Sequence, residues 1–224
     1  MDFQVIVDNF RFLFVQGFLG FGEFAGGTLR LAIPAIVLGF ALGIVIGLGR
    51  LAKTRFIRFL ATIYIEFFRG VPLVMVIFWF WFIIPNLLKI SLPEYGVALT
   101  AFVIFEAAYL AEIIRAGIQS VARGQLEAAA ATGLSRGRTM RHIVLPQALR
   151  NMIPALVTQF IVLLKDTSLA SIIGYIDLTK AAQIVNNREI RPFELYLFIA
   201  VVYWCISYAM SRYARRLERR LSPA

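Results

Sequence analysis

Residues 31–48 read LAIPAIVLGFALGIVIGL, a run with no charged side chain and no strongly polar one. A helix rises about 1.5 Å per residue, so a run of this length approaches the roughly 30 Å of hydrocarbon in a bilayer. Four more apolar regions follow, at residues 59–88, 97–114, 143–173 and 193–208. The expected fold class is therefore an all-α integral membrane protein with five transmembrane helices. Composition agrees, with 60% of residues hydrophobic and 16% charged, whereas soluble domains run at about 45–50% and about 25%.

A net charge of +10 would suggest a nucleic-acid binder if the chain were soluble. The charges instead gather at the ends of the apolar runs, which excludes nucleic acid as a partner and points to membrane topology. If the first span runs outward to inward, fifteen Lys and Arg fall on the cytoplasmic side and seven on the other, with Arg69 in or beside the second span. The excess of basic residues sets the N-terminus outside and the C-terminus in the cytoplasm. Asp2 and Asp8 stand where a signal peptide would carry Lys or Arg, so the first segment is expected to stay uncleaved. Its Phe10, Phe12, Phe14, Phe18 and Phe21 suit either a helix in the outer interface or one packed against the bundle.

Some features carry structure rather than chemistry. Gly39, Gly43 and Gly47 recur at steps of four and predict a face where another helix approaches closely. Cys205, the one cysteine, cannot pair within the chain and is expected as a small core residue. Gly133-Leu134-Ser135-Arg136-Gly137 matches the nucleophile-elbow pattern. No strand precedes it, and the single histidine, His142, follows without an intervening acid, so it is a chance match. None of the four lysines follows a glycine, so the chain has no phosphate-binding P-loop. One His and one Cys at distant positions make no metal site. The chain is expected to be no enzyme and to bind no cofactor itself, any nucleotide energy coming from a partner.

Residues 115–150, RAGIQSVARGQLEAAAATGLSRGRTMRHIVLPQALR, are too polar to cross the membrane yet rich in helix formers. A short helix over residues 125–132 should stop at Gly133, and a second should run from about Arg136 to Leu145, before Pro146. Two short helices joined at a glycine make a compact knob. Glu127-Ala128-Ala129, then Gly133, then Ile143, Leu145 and Pro146 resemble the EAA signature of bacterial ABC-importer permeases. The phrases EFFRGVP, AEIIRAGIQSVARGQ and KDTSL are similar to the polar amino-acid branch of that family, in appearance nearest to glutamate/aspartate permeases.

The resemblance implies a MetI-like ABC permease fold. Residues 1–26 would form an outer-interface segment, 27–216 the permease domain with its EAA coupling loop at about 116–150, and 217–224 a basic cytoplasmic tail. It further implies a multi-pass protein of the bacterial inner membrane and two cytoplasmic ATPase subunits, which hold ATP and Mg. The remaining partners it implies are a second, identical or homologous permease, an extracytoplasmic binding protein and an amino-acid substrate. Glu127, Ala128, Ala129, Gly133 and Pro146 would couple to the ATPase. Ala128 and Ala129 suit this role because small residues admit another backbone.

In the fourth region the apolar stretch at residues 153–164 is too short to span, so an interruption is expected at Lys165, Asp166, Thr167 and Ser168. Transporters place substrate sites at such breaks. Ionisable groups at membrane depth are costly and are candidates for function, here Glu106, Lys165, Asp166 and Arg69, with Tyr109 adding a hydroxyl. Lys165 and Asp166 either line the substrate pathway or hold a gate closed as an ion pair. Glu112 and Arg115 have the spacing of an ordinary helix pair. Arg69 lies either well inside a span beginning at Phe59 or at the start of one beginning at Pro72; the second is preferred because proline suits a first helical turn.

The function expected is translocation of polar, acidic amino acids by an ATP-driven importer. The alternatives are a permease for another polar or basic amino acid, or a secondary transporter or channel. The last would usually show paired internal repeats, which this sequence lacks. The topology is open to test: in a Cys205→Ser background, a cysteine at Ser135 should be labelled only from the cytoplasm and one at Ser91 only from outside. Labelling of both from one side would refute the five-span arrangement.

Overall fold

The computed structural model describes residues 3–22 and 26–221. Asp2 and the last residues of the expected basic tail lie outside the described residues. The chain is helical throughout, in the order α1 (Gln4–Asp8), α2 (Thr28–Arg50), α3 (Arg55–Gly70), α4 (Leu73–Phe78), α5 (Ile84–Leu88), α6 (Glu94–Gln119), α7 (Arg123–Ala131), α8 (Arg136–Thr139), α9 (Leu145–Asp166), α10 (Leu178–Glu189) and α11 (Pro192–Leu221). Wider π-helical turns follow α1, join α4 to α5 and join α8 to α9. Among the described residues, four helical stretches are long and apolar enough to cross a membrane. A fifth is supplied if α3 and α4–α5 count as one span bent by 104°.

The bundle is organised by α6, the most buried of the long helices. Its inner face is lined by Ala98, Ala101, Ala107, Ala108 and Ala111, and α2 lies against it along Gly39, Gly43 and Gly47. A Cβ at Gly43 would stand 2.9 Å from Leu110 Cβ, and one at Gly47 would stand 2.8 Å from the carbonyl oxygen of Ala111. The expected packing face is real: no larger residue fits without moving a backbone. Around this seam Leu31, Ile36, Val76, Ile77, Phe102 and Leu163 close the main core. Tyr64 donates its hydroxyl to the carbonyl of Ile104 at 2.6 Å, which pins α3 onto α6.

A second core joins the N-terminal segment to the end of the chain. Leu13 and Phe18 pack with Leu178, Ala182 and Val185 of α10 and with Leu195 and Ile199 of α11. The segment is thus packed against the bundle through its apolar residues. Asp177 is the fixed point of this region. It caps α10, accepting from the backbone N–H of Lys180 at 2.8 Å and of Thr179 at 3.1 Å, and it accepts the Tyr203 hydroxyl of α11 at 3.2 Å. Tyr175 donates to the carbonyl of Gly27 at 2.8 Å, and the N–H of Gly27 donates to the carbonyl of Ile176 at 2.7 Å, tying in the start of α2.

Three expectations are corrected. The helix preceding Pro146 does not end there, because proline in the first turn of α9 forfeits an N–H that has no intrahelical partner anyway. The fourth span is not broken after Leu164. α9 runs for 22 residues, about 33 Å, and tightens into a 3-10 helix at Thr167–Ile173 that ends at Gly174 with φ 92°. The Thr167 hydroxyl donates to the carbonyl of Leu164 at 2.8 Å and supports this continuation. Cys205 is exposed rather than in the core, since it lies on α11, the least buried of the long helices.

Burial pushes the Asp177 carboxyl up to about 6, against the backbone N–H groups and the Tyr203 hydroxyl that pull it down. The folded chain therefore holds this proton more tightly than the unfolded chain, where a carboxyl titrates near about 3.9. Its contribution to stability grows as pH falls through about 6 towards about 4. Between about pH 7.5 and about pH 5 the thermal unfolding midpoint in detergent should gain an increment that Asp177→Asn lacks. Identical pH dependence in the two proteins would remove this role.

Candidate functional site

A cavity of about 340 Å³ opens between α3, α6 and α9. From α6 it takes Tyr109, Glu112 and Ser120, from α9 Asn151 and Gln159, and from the last turn of α3 Arg69. On α9 Asn151, Ala155 and Gln159 fall at steps of four, so one face of the helix presents two amide side chains to the cavity. Arg69 lies over the Tyr109 ring, with its guanidinium carbon 5.6 Å from the centroid. The chain turns immediately afterwards, and Pro72 precedes α4. The helix boundary is thus the one preferred from sequence, while Arg69 itself faces the cavity.

The acids here are already engaged. Glu112 and Arg115 form the expected i, i+3 pair, Arg115 Nε donating at 2.9 Å and a terminal nitrogen at 2.5 Å, with Arg115 also donating to Gln119. Glu106 is fully buried and accepts from Gln159 Nε2 at 2.9 Å. Its second oxygen, Oε1, has no hydrogen-bond partner. Asn151 donates to the Ser120 hydroxyl at 2.8 Å. Among the described residues no carboxylate lies within 4.0 Å of the Arg69 guanidinium; the ion pairs are Arg50–Glu66 and Arg115–Glu112.

Arg69, Glu106 and Tyr109 are therefore brought together, around Gln159. Lys165, Asp166, Thr167 and Ser168 lie further along α9 and its 3-10 continuation, outside the cavity lining. Lys165 is exposed, Asp166 and Ser168 are half-buried, and Thr167 is buried. Lys165 and Asp166 form no ion pair within 4.0 Å among the described residues. Asp166 is still close enough to act electrostatically on Glu106 and Tyr109. Gln159, Asn151 and Ser120 were not singled out from sequence. The signal that could have found them is amide side chains spaced by eight in an apolar helix.

The knob expected from sequence is α7, a turn and α8. Gly133 has φ 76°, a left-handed conformation, and no neighbour within 4 Å of the place a Cβ would occupy. Its N–H donates to the carbonyl of Ala130 at 3.0 Å, and the N–H of Leu134 donates to that of Ala129 at 3.0 Å. Ala129 is buried, whereas Glu127, Ala128 and Pro146 are exposed. Leu126, Leu134 and Met140 are exposed apolar residues around the same turn.

Residues 35–223 match the family of binding-protein-dependent transport system inner membrane components, and the chain belongs to it. It is a multi-pass inner-membrane protein, a translocation subunit of an amino-acid ABC importer and not an enzyme. The gradient-driven alternative is thereby set aside. The chain is 43% identical over 196 residues to the probable glutamine ABC transporter permease protein GlnP of Bacillus subtilis, covering 86% of this chain and 89% of that protein. It is 40% identical over 200 residues to the glutamate/aspartate import permease protein GltK of Escherichia coli, with the same coverage. A crystal structure of an amino acid ABC transporter with histidines superposes with a TM-score of 0.90 at 34% identity, covering 98% of this chain and 99% of that one. An inward-facing MetNI methionine transporter, at 18% identity and a TM-score of 0.72, shares the fold.

The Glu106–Gln159 contact makes a specific demand on stability. Gln159→Leu removes the partner of a buried carboxylate and should lower unfolding stability by about 1–3 kcal/mol. Glu106→Gln in the Gln159→Leu background should recover part of that loss, as followed by thermal unfolding in detergent. A stable Gln159→Leu protein would show that the two side chains are energetically independent.

Proposed function

We propose that this importer carries polar amino acids of net negative charge, glutamate and aspartate, and that the cavity between α3, α6 and α9 is part of their pathway. The observation that supports this most is the free guanidinium of Arg69. Glu112, the acid lining the cavity, is held by Arg115, and the buried Glu106 behind it by Gln159, which leaves an unneutralised cation facing a polar space. A substrate carboxylate is its natural complement. Glu106 Oε1 offers an acceptor for the ammonium group that every amino acid also carries. Lys165, Asp166, Thr167 and Ser168 line the continuation of the pathway or its gate. A second reading, glutamine, is supported by the amide side chains of Asn151 and Gln159 and by the name of the GlnP relative.

In the working importer, the knob carrying Glu127, Ala128, Ala129, Gly133 and Pro146 docks into one of two cytoplasmic ATPase subunits, which hold ATP and Mg. An extracytoplasmic binding protein delivers the substrate, and a second permease, identical or homologous, completes the pathway. The N-terminus lies outside and the C-terminus in the cytoplasm. Exposed Leu126 and Leu134 beside the Gly133 turn give such a partner an apolar surface to cover.

The test is uptake of labelled glutamate by vesicles containing the whole importer. Unlabelled glutamate and aspartate should compete better than glutamine or arginine. Arg69→Gln should reduce uptake about tenfold or more, the worth of one charge-assisted hydrogen bond. Gly133→Val, which a β-branched residue at positive φ resists, should lower uptake and stimulated ATP hydrolysis together. Stronger competition by glutamine would favour the second reading, and normal coupling in a well-expressed Gly133→Val importer would remove the docking assignment.

A further inference from the structure

The last turns of α11 carry Arg212, Arg215, Arg216 and Arg219 at positions i, i+3, i+4 and i+7, one face of the helix. All four are exposed, and together they line a concavity of about 150 Å³. Among the described residues none of them has a carboxylate within 4.0 Å, although Glu218 lies in the same turns. The opposite side of the helix is packed, with Ala214 buried. The arginine face continues an exposed stripe of Leu197, Val201, Trp204 and Tyr208, in which Trp204 stacks on Tyr208 at 5.5 Å and Arg212 lies over Tyr208 at 5.9 Å.

The height of this group along the helix fixes what it can meet. From Pro192 to Arg212 is about 30 Å at about 1.5 Å per residue, one hydrocarbon thickness. Apolar side chains including Trp204 thus face acyl chains, Tyr208, one turn below Arg212, has the amphipathic character of an interfacial anchor, and the arginines begin at headgroup level. We propose that Arg212, Arg215, Arg216 and Arg219 form a binding site for the phosphate of an anionic phospholipid, whose acyl chain lies along the Leu197–Val201–Trp204 stripe. Guanidinium forks match phosphate oxygens bidentately, and clustered basic residues beside a spanning helix attract anionic lipid. The site is independent of the substrate pathway and of the identity of the amino acid carried.

The whole importer, in detergent, is titrated with dioleoyl phosphatidylglycerol or dioleoyl phosphatidylcholine, and bound lipid is counted by native mass spectrometry. Wild type should retain phosphatidylglycerol at least about fivefold more tightly, the effect of a single basic residue at the surface. Replacing all four arginines by Gln should abolish the preference, whereas replacing all four by Lys should keep most of it. If the fourfold Gln variant does not assemble, Arg212→Gln with Arg216→Gln should weaken the preference. Equal retention of both lipids by wild type, or an unchanged preference in an assembled Gln variant, would overturn the site. A Gln variant that sheds its ATPase subunits with lipid retention unaltered would also overturn it, in favour of a protein partner.

Discussion

The close approach of α2 and α6 is the constraint on which the other contacts depend. Between helices in a bilayer, hydrophobic burial gives little drive, because lipid is as apolar as the side chains. Association rests on van der Waals contact and on the few available hydrogen bonds. Three glycines on α2, set against Glu106, Leu110 and Ala111 of α6, bring two backbones together along more than two turns. With α2 filling one side of α6, the opposite sides are left to α3 and α9. Glu106, whose Cβ would stand 3.3 Å from a side chain at Gly39, is directed away from the seam towards Gln159.

That arrangement gathers several polar groups of α6 and α9 around one cavity. Glu106 is satisfied on one oxygen by Gln159, Glu112 is held by Arg115, and Asn151 is joined to Ser120. What remains uncommitted is the guanidinium of Arg69 and one oxygen of Glu106. A buried acceptor without a donor costs free energy. Its retention beside a cavity is the arrangement expected where a ligand completes the hydrogen bonding.

At the end of the bundle that holds the N-terminal segment the stabilising logic is different. Backbone groups at the start of α2 are paired with the segment around Tyr175 and Ile176, and Asp177 joins α10 to α11 through a capping interaction and the Tyr203 hydroxyl. The N-terminal helix is then held by apolar contact with α10, where Gly17 faces Ala181. The opposite end, which carries the knob, has no such lock. The knob buries Ala129 and otherwise exposes its turn, which leaves it available to a partner.

The sequence by itself determined the helical class, the glycine seam, the Gly133 turn and the Glu112–Arg115 pair, because each follows from spacing within one helix or from the conformation of one residue. It marked Arg69, Glu106 and Tyr109 as costly or polar groups in apolar runs without showing that they meet. It read the fourth region wrongly at Pro146 and Lys165. Whether proline ends a helix or starts one depends on the turn it occupies, and a polar stretch continues a helix where neighbours and a hydroxyl support it. Only the tertiary structure decided that Gln159 and Asn151 face the cavity, that Asp177 begins a helix, and that Cys205 points outward. Those facts depend on which helices touch across long sequence separations, and periodicity along one helix carries no record of what lies opposite it.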